Sequence, residues 1–265
     1  MQRTPVVFVH GPWLHALSWQ SWARRFAHRG YLPFLPGWPG EAATAREART
    51  RPGAPGGGPG LDALTEHYAA LVRSLAVAPV LVGHSVGGLI AQRLLGAGAG
   101  RAAVALAPAP INGVPLPAPP AWQEAGPEGP SAVLSPRRFR RLFANTVGAE
   151  ESGRLFERYV VPAPYRLLAD LGRTGADPHP RARADTGNTA RGPLLLVSGQ
   201  EDLLVPDAVT RAVYKLYGDS TAVTDLKQFA DRGHSLVVDS GWRQVADHVL
   251  DWLHERGVRA LSGDG

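Results

Sequence analysis

Cysteine is absent from the 265-residue chain, which excludes a disulfide scaffold and any cysteine-ligated metal site. No apolar run approaches the roughly 20 residues needed to cross a bilayer, so no membrane association is expected. The opening stretch Met1-Gln2-Arg3-Thr4-Pro5 leads directly into a short apolar run, without a secretory h-region or a small-residue cleavage site. The expectation is a cytoplasmic protein. Lysine is scarce, present only as Lys215 and Lys227, so the formal net charge of +5 is carried almost wholly by arginine. Those arginines are scattered, the densest cluster being Arg137-Arg138-Phe139-Arg140-Arg141. An electrostatic footprint for nucleic acid needs clustering on one face, together with a recognisable binding motif. Neither is found, and nucleic acid is not an expected partner.

What is present is an ordinary globular composition, 44% hydrophobic and 19% charged, in a length that suits one sizeable domain with an insertion. Glycine and proline concentrate in three stretches: Arg51–Gly60, Ala107–Pro120 and Gly172–Gly192. Between them, short apolar runs at Val6–Val9, Leu32–Leu35, Val80–Val82, Ala102–Leu106, Leu194–Val197 and Thr221–Phe229 read as strands. Helical stripes separate the runs. Ser18 is placed to cap a helix carrying Trp19, Trp22 and Phe26 on one face. Leu61, Leu64, Tyr68, Leu71 and Leu75 form a second stripe, and Trp242, Val245, Val249 and Leu253 a last one. The segment from Ser85 to Leu95 is apolar nearly all round. This alternation predicts an α/β fold with a mostly parallel central sheet flanked by helices on both faces. Residues 110–191 break the rhythm with a proline-rich entry and helices expected at Pro136–Asn145 and Glu150–Val161. They read as an inserted helical lid between core segments 1–109 and 192–265.

The most specific motif is Gly83-His84-Ser85-Val86-Gly87, lying between a predicted strand and a predicted apolar helix. A G-x-S-x-G sequence in that setting turns the chain sharply and exposes a strained serine above the carboxyl end of the sheet. Glycines admit the close backbone, and the helix N-terminus sets N–H dipoles beside the hydroxyl. Ser85 is the candidate nucleophile, with the Val86 amide placed to stabilise an oxyanion. A serine nucleophile needs a general base, and that base an orienting carboxylate. Asp202 follows the strand Leu194–Val197, and His234 follows the strand ending at Phe229, so both belong to the carboxyl edge of the sheet. Glu201 and Asp207 compete for the acid role, whereas His248 sits within the last amphipathic helix and is a poor base. The order Ser85, Asp202, His234 is that of an α/β-hydrolase.

Val9-His10-Gly11, Gly83–Gly87, Gly199-Gln200-Glu201-Asp202 and Gly233-His234 together resemble the α/β-hydrolase fold superfamily, over nearly the whole chain from Val6 to Leu253. Trp13-Leu14-His15, Pro36–Glu41 and the segment from Phe143 to Pro164 resemble bacterial members of it. The resemblance implies hydrolysis through an acyl-enzyme, with no cofactor and no metal. It also implies that the residue after His-Gly donates a main-chain N–H to the oxyanion. Here that residue is Pro12, which has no N–H. Three readings stay open: Trp13 supplies the donor and the protein is a serine hydrolase; a half-formed hole serves a lyase or cyclase; or the site only binds a ligand. His10 and His84 read as structural. The expected pocket lies between Ser85 and the lid, lined by Trp13, Leu14, Val86, Phe139, Phe143 and Tyr159, with Trp122 and His15 as further candidates. Such a lining suits a medium-sized apolar small molecule, bound by a monomer or homodimer.

Overall fold

In the segment Pro5-Val6-Val7-Phe8-Val9 every residue is buried, which a strand achieves only when both faces of its sheet are covered. A computed structural model, which describes residues 2–51, 57–115, 131–171 and 180–262, makes this segment strand β1. It is joined by β2 (Leu32–Phe34), β3 (Val80–His84), β4 (Ala102–Leu106), β5 (Leu194–Gly199) and β6 (Thr224–Phe229). The order is β2-β1-β3-β4-β5-β6 and each neighbouring pair is parallel. The buried strands β3, β4 and β5 fill the middle, while the edge strands are partly exposed. Pro33 is tolerated in β2 because an edge strand has one unpaired side.

The first half of the chain supplies helices α1 (Gln20–His28), α2 (Ala45–Thr50), α3 (Leu61–Ser74) and α4 (Val86–Gly96), of which α1 and α4 pack directly on the strands. All of α4 except Arg93 is buried. Phe8 of β1 anchors α1 through aromatic contacts, with ring centroids 5.1 Å from Trp19 and 5.3 Å from Phe26. Ser18 does not cap this helix. A 3-10 turn at Ala16–Trp19 precedes α1, and its cap is His15, whose side chain accepts from the Leu17 N–H. The turn draws Ser18 into the core, where its hydroxyl has no partner. Among the described residues no helix is long and apolar enough to cross a membrane.

Between β4 and β5 the chain leaves the sheet. Ser131–Ala132 pairs antiparallel with Ala163–Pro164, enclosing a short helical turn at Pro136–Arg138, a π-helical turn at Phe139–Phe143 and α5 (Ala149–Tyr159). Helix α6 (Tyr165–Asp170) follows. The expected regular helix over Pro136–Asn145 is thus shorter and widened. The Ala144 N–H bonds the Phe139 carbonyl at 2.9 Å, a five-residue step that leaves Phe139 and Phe143 both fully buried. After β5 come α7 (Asp207–Leu216) and, after β6, α8 (Trp242–Glu255). Trp122 and residues 52–56 of the loop Arg51–Gly60 lie outside the described residues.

Candidate active site

Strand β3 ends at His84, and α4 begins at Val86. Ser85, between them, has φ 56° and ψ −121°, a conformation that side-chain-bearing residues seldom adopt. Its surroundings hold it there. The Ser85 N–H bonds the Leu106 carbonyl of β4 at 2.9 Å, and the Ser85 carbonyl accepts from Gly88, Leu89 and Ala109. Gly87 is forced by close approach, since a Cβ there would lie 2.0 Å from the Val9 carbonyl oxygen. As the first residue of α4, Val86 has no intrahelical acceptor for its N–H. Positive φ values outside glycine occur at Trp13, Ser85 and Ala107, each just beyond a carboxyl end of the adjacent strands β1, β3 and β4. Backbone strain among the described residues is therefore gathered at one edge of the sheet, as at many functional sites.

The loops after β5 and β6 bring Asp202 and His234 to the same edge. His234 Nδ1 lies 2.7 Å from Asp202 Oδ2, and both side chains are fully buried. Asp202 Oδ1 accepts from the Leu204 and Val205 N–H groups at 2.8 Å each, so the carboxylate is fixed by the turn that carries it. Because a carboxylate only accepts, His234 carries its proton on Nδ1 and presents an Nε2 lone pair. That Nε2 is buried and has no hydrogen-bond partner, so the Ser85 hydroxyl is not bonded to it. The His84 and His234 rings are 4.6 Å apart, which sets the histidine loop directly against the elbow.

The other candidates divide. Glu201 is exposed. Asp207 faces away into a separate network, accepting from Ser198 Oγ at 2.5 Å, Gln228 Nε2 at 2.8 Å and Arg211 Nε at 2.8 Å. His248 packs edge-on against Phe229. Phe143 stands edge-on to His234 with centroids 4.7 Å apart, and Phe139 stacks on Phe143 at 5.0 Å. Trp13, Leu14 and Val86 are buried. The Trp13 indole N–H donates to the Ala132 carbonyl at 3.2 Å, and Leu14 bridges to Val160, so the loop after β1 is stitched to the inserted segment. Tyr159 is buried beside a surface hollow that Glu151 and Trp242 also border. Gly11 was not singled out by the sequence as a site residue. A Cβ on it would fall 2.7 Å from Ser85 Cβ and 3.3 Å from Ser85 Oγ. The His-Gly pair was the available signal. Among the described residues no three His, Asp or Glu side chains gather as a metal site.

A sequence model described as the alpha/beta hydrolase family matches residues 6–248. No curated protein sequence matches the chain. Among solved structures it is similar to a monoacylglycerol lipase from Paleococcus ferrophilus, with a TM-score of 0.68 and 19% identity over 95% of this chain and 94% of that one. A methylesterase from Arabidopsis gives a TM-score of 0.64 and 17% identity over 95% and 99%. A pyrethroid hydrolase from Sphingobium faniae gives 0.64 and 16% over 95% and 97%. These likenesses show a common fold.

Proposed function

Because the chain belongs to the alpha/beta hydrolase family, matched over residues 6–248, we propose that it is a serine hydrolase acting on an ester or related acyl bond of a medium-sized apolar small molecule. The observation that carries this reading is the buried 2.7 Å bond between His234 Nδ1 and Asp202 Oδ2 beside the strained Ser85. Rotation of the Ser85 side chain toward His234 Nε2 starts the reaction; such bonds commonly tighten only when substrate is bound. His234 takes the hydroxyl proton as Ser85 Oγ attacks the acyl carbon, and Asp202 stabilises the imidazolium. The alcohol leaves with that proton, giving an acyl-enzyme. Water then attacks, deprotonated by His234, and the carboxylic acid departs as Ser85 recovers its proton.

The developing oxyanion is assigned to the Val86 and Trp13 N–H groups. Pro12 has no amide proton, and Trp13 with φ 66° is the next residue able to donate. Residues 110–191 act as the lid over this edge, with Phe139, Phe143 and Tyr159 facing the substrate alongside Trp13, Leu14 and Val86. Apolar walls of this type suit an acyl or aromatic group better than a sugar or phosphate. The missing Pro12 donor favours a second reading, a lyase, a cyclase or a pure ligand binder.

Activity-based labelling separates these. The wild type should react with a serine-directed fluorophosphonate and turn over short p-nitrophenyl esters, and Ser85→Ala should do neither. A wild type that neither labels nor hydrolyses any acyl substrate overturns the hydrolase reading.

A further inference from the structure

Glu41 lies outside the residues used above, yet its carboxyl group is sunk against the loop that leaves β1. Its side chain is 12% exposed. Oε1 is 3.4 Å from His10 Nε2 and 3.4 Å from the Ala16 N–H, while Oε2 is 4.0 Å from His15 Nε2. One carboxyl group thus touches the start and the end of the loop that contains Gly11, Pro12 and Trp13. Gly37 makes room for it, because a Cβ there would lie against Glu41 Oε2.

The hydrogen bonds around the carboxyl restrict where protons can sit. His10 Nδ1 is 3.0 Å from the Gly11 carbonyl, which only accepts, so Nδ1 carries a proton and neutral His10 offers Nε2 as an acceptor. His15 Nδ1 accepts from the Leu17 N–H and its Nε2 donates to the Ala42 carbonyl at 2.8 Å, so His15 has no proton to give. Two acceptors, a carboxylate and an imidazole nitrogen, would then face each other in a buried space. His10 Nε2 is buried and makes no hydrogen bond at this geometry. A proton on the Glu41 carboxyl, whose Oε1 is 3.4 Å away, resolves that conflict once the two groups close to bonding distance.

We propose that Glu41, in its protonated form, is the positioning residue of the oxyanion loop, holding His10 and through it Gly11 and Trp13 against Ser85. This rests on the hydrolase reading given above. The mechanical link is short: Gly11 follows His10 and abuts Ser85. Loss of the Glu41 proton leaves two lone pairs opposed at His10 Nε2, so the ring retreats and the loop loses its fixed distance from Ser85. Electrostatics favour the neutral pair. Burial pushes the Glu41 carboxyl up to about 7, opposed by the Ala16 N–H, and burial pushes His10 down to about 4. The titratable groups facing Glu41 are His10 and His15 on the loop and Tyr68 on α3, with His67 of α3 bonded to the Gly37 carbonyl nearby. Among the described residues no arginine or lysine pairs with it. Trp38 stacks on His10 at 4.4 Å and shields the pair from water.

The test is the pH profile of ester hydrolysis for wild type, Glu41→Gln and Glu41→Leu. The wild type should show a bell, with kcat falling as pH rises past about 7. Glu41→Gln, whose amide donates to His10 Nε2 at every pH, should lose the descending limb. Glu41→Leu, with no donor, should lower kcat at all pH values. A wild-type profile without that limb, or a limb that survives in Glu41→Gln, overturns the proposal. Infrared titration of Ser85→Ala with and without Glu41→Gln reads the proton without catalysis and separates it from that of Asp239, whose carboxyl is also pushed up by burial. A carboxylic-acid carbonyl band that persists at pH 6, disappears near 7 and is lost with Glu41→Gln is expected, and no such band at pH 6 also overturns the proposal. If the fluorophosphonate fails to label while that band titrates, the hydrolase reading fails and the Glu41 proton stands.

Discussion

His84 Nε2 is 2.9 Å from the main-chain carbonyl of His234. The carbonyl only accepts, so His84 is the donor, through Nε2–H. Burial holds its imidazole well below the usual histidine range, with the nearby His234 pushing the same way, so His84 stays neutral. The residue before the proposed nucleophile thereby fastens the loop that carries the proposed base. Replacing His84 by Phe keeps the ring bulk but leaves the His234 carbonyl buried and unpaired. A loss of about 1–3 kcal/mol in stability is expected, together with a lower kcat. Chemical denaturation and ester turnover on the same preparation check both.

Gly11 should tolerate no side chain. A Cβ there comes within 2.7 Å of Ser85 Cβ, so Gly11→Ala must displace either the loop or the serine. Misplacement of this order costs about 10²-fold in rate. Fluorophosphonate labelling should slow in parallel with turnover. Equal rates for Gly11→Ala and wild type would show that the loop yields freely, against the arrangement described.

The two aspartates near the ends of β5 should separate by phenotype. Asp202→Asn should reduce kcat by about 10⁴-fold, the scale for the orienting carboxylate of such a triad. Asp207→Asn should leave kcat near that of wild type and lower the thermal midpoint. Burial opposes the Asp207 charge, but the bonds from Ser198, Gln228 and Arg211 outweigh it and hold the carboxyl below its usual range. Its contribution is present above the ordinary aspartate value and lost as pH falls through the lowered one. Melting curves at neutral and acid pH, compared between wild type and Asp207→Asn, reveal that loss.

Pro12→Ala tests the oxyanion assignment. If the Trp13 N–H is the donor, the change leaves turnover unchanged or lowers it, because it loosens a loop that proline had restricted. A rise of roughly tenfold or more, the range of a single restored donor, would favour the half-formed hole instead. Steady-state kinetics on one p-nitrophenyl ester suffice.

Stability should also respond to pH through Glu41 and His10, with opposite signs. Burial, opposed by the Ala16 N–H, raises Glu41 from 4.5 to about 7, so the folded chain holds a proton that the unfolded chain releases. That contribution is complete below about 4.5 and is lost as pH rises through about 7. His10 is lowered from 6.5 to about 4, chiefly by burial, so its contribution is present above 6.5 and lost as pH falls through about 4. The Glu41 contribution therefore declines between about 4.5 and 7 while that of His10 grows over nearly the same range. Glu41→Gln, which removes only the declining part, should make the thermal midpoint rise more steeply with pH across that window than it does in the wild type.

By itself the sequence determined the element types and the parallel sheet. Buried runs such as Ala102–Leu106 and stripes such as Trp242–Leu253 are dictated by local periodicity, and they match β4 and α8. It also marked Gly83–Gly87 as a strand-to-helix turn; Gly83 is demanded by the Gly87 carbonyl four residues on, whereas the Val9 carbonyl that demands Gly87 comes from the neighbouring strand. Tertiary structure decided what depends on residues distant in the chain. Asp202, rather than Glu201 or Asp207, faces His234 because the Leu204 and Val205 amides turn its carboxylate inward, and no spacing encodes that direction. The irregular turns also escaped: Ser18 lost the cap to His15, and the π-helical turn at Phe139–Phe143 widened so that both rings are buried. The Glu41–His10 contact is likewise tertiary. It joins residues 31 positions apart, a distance over which local periodicity carries no information.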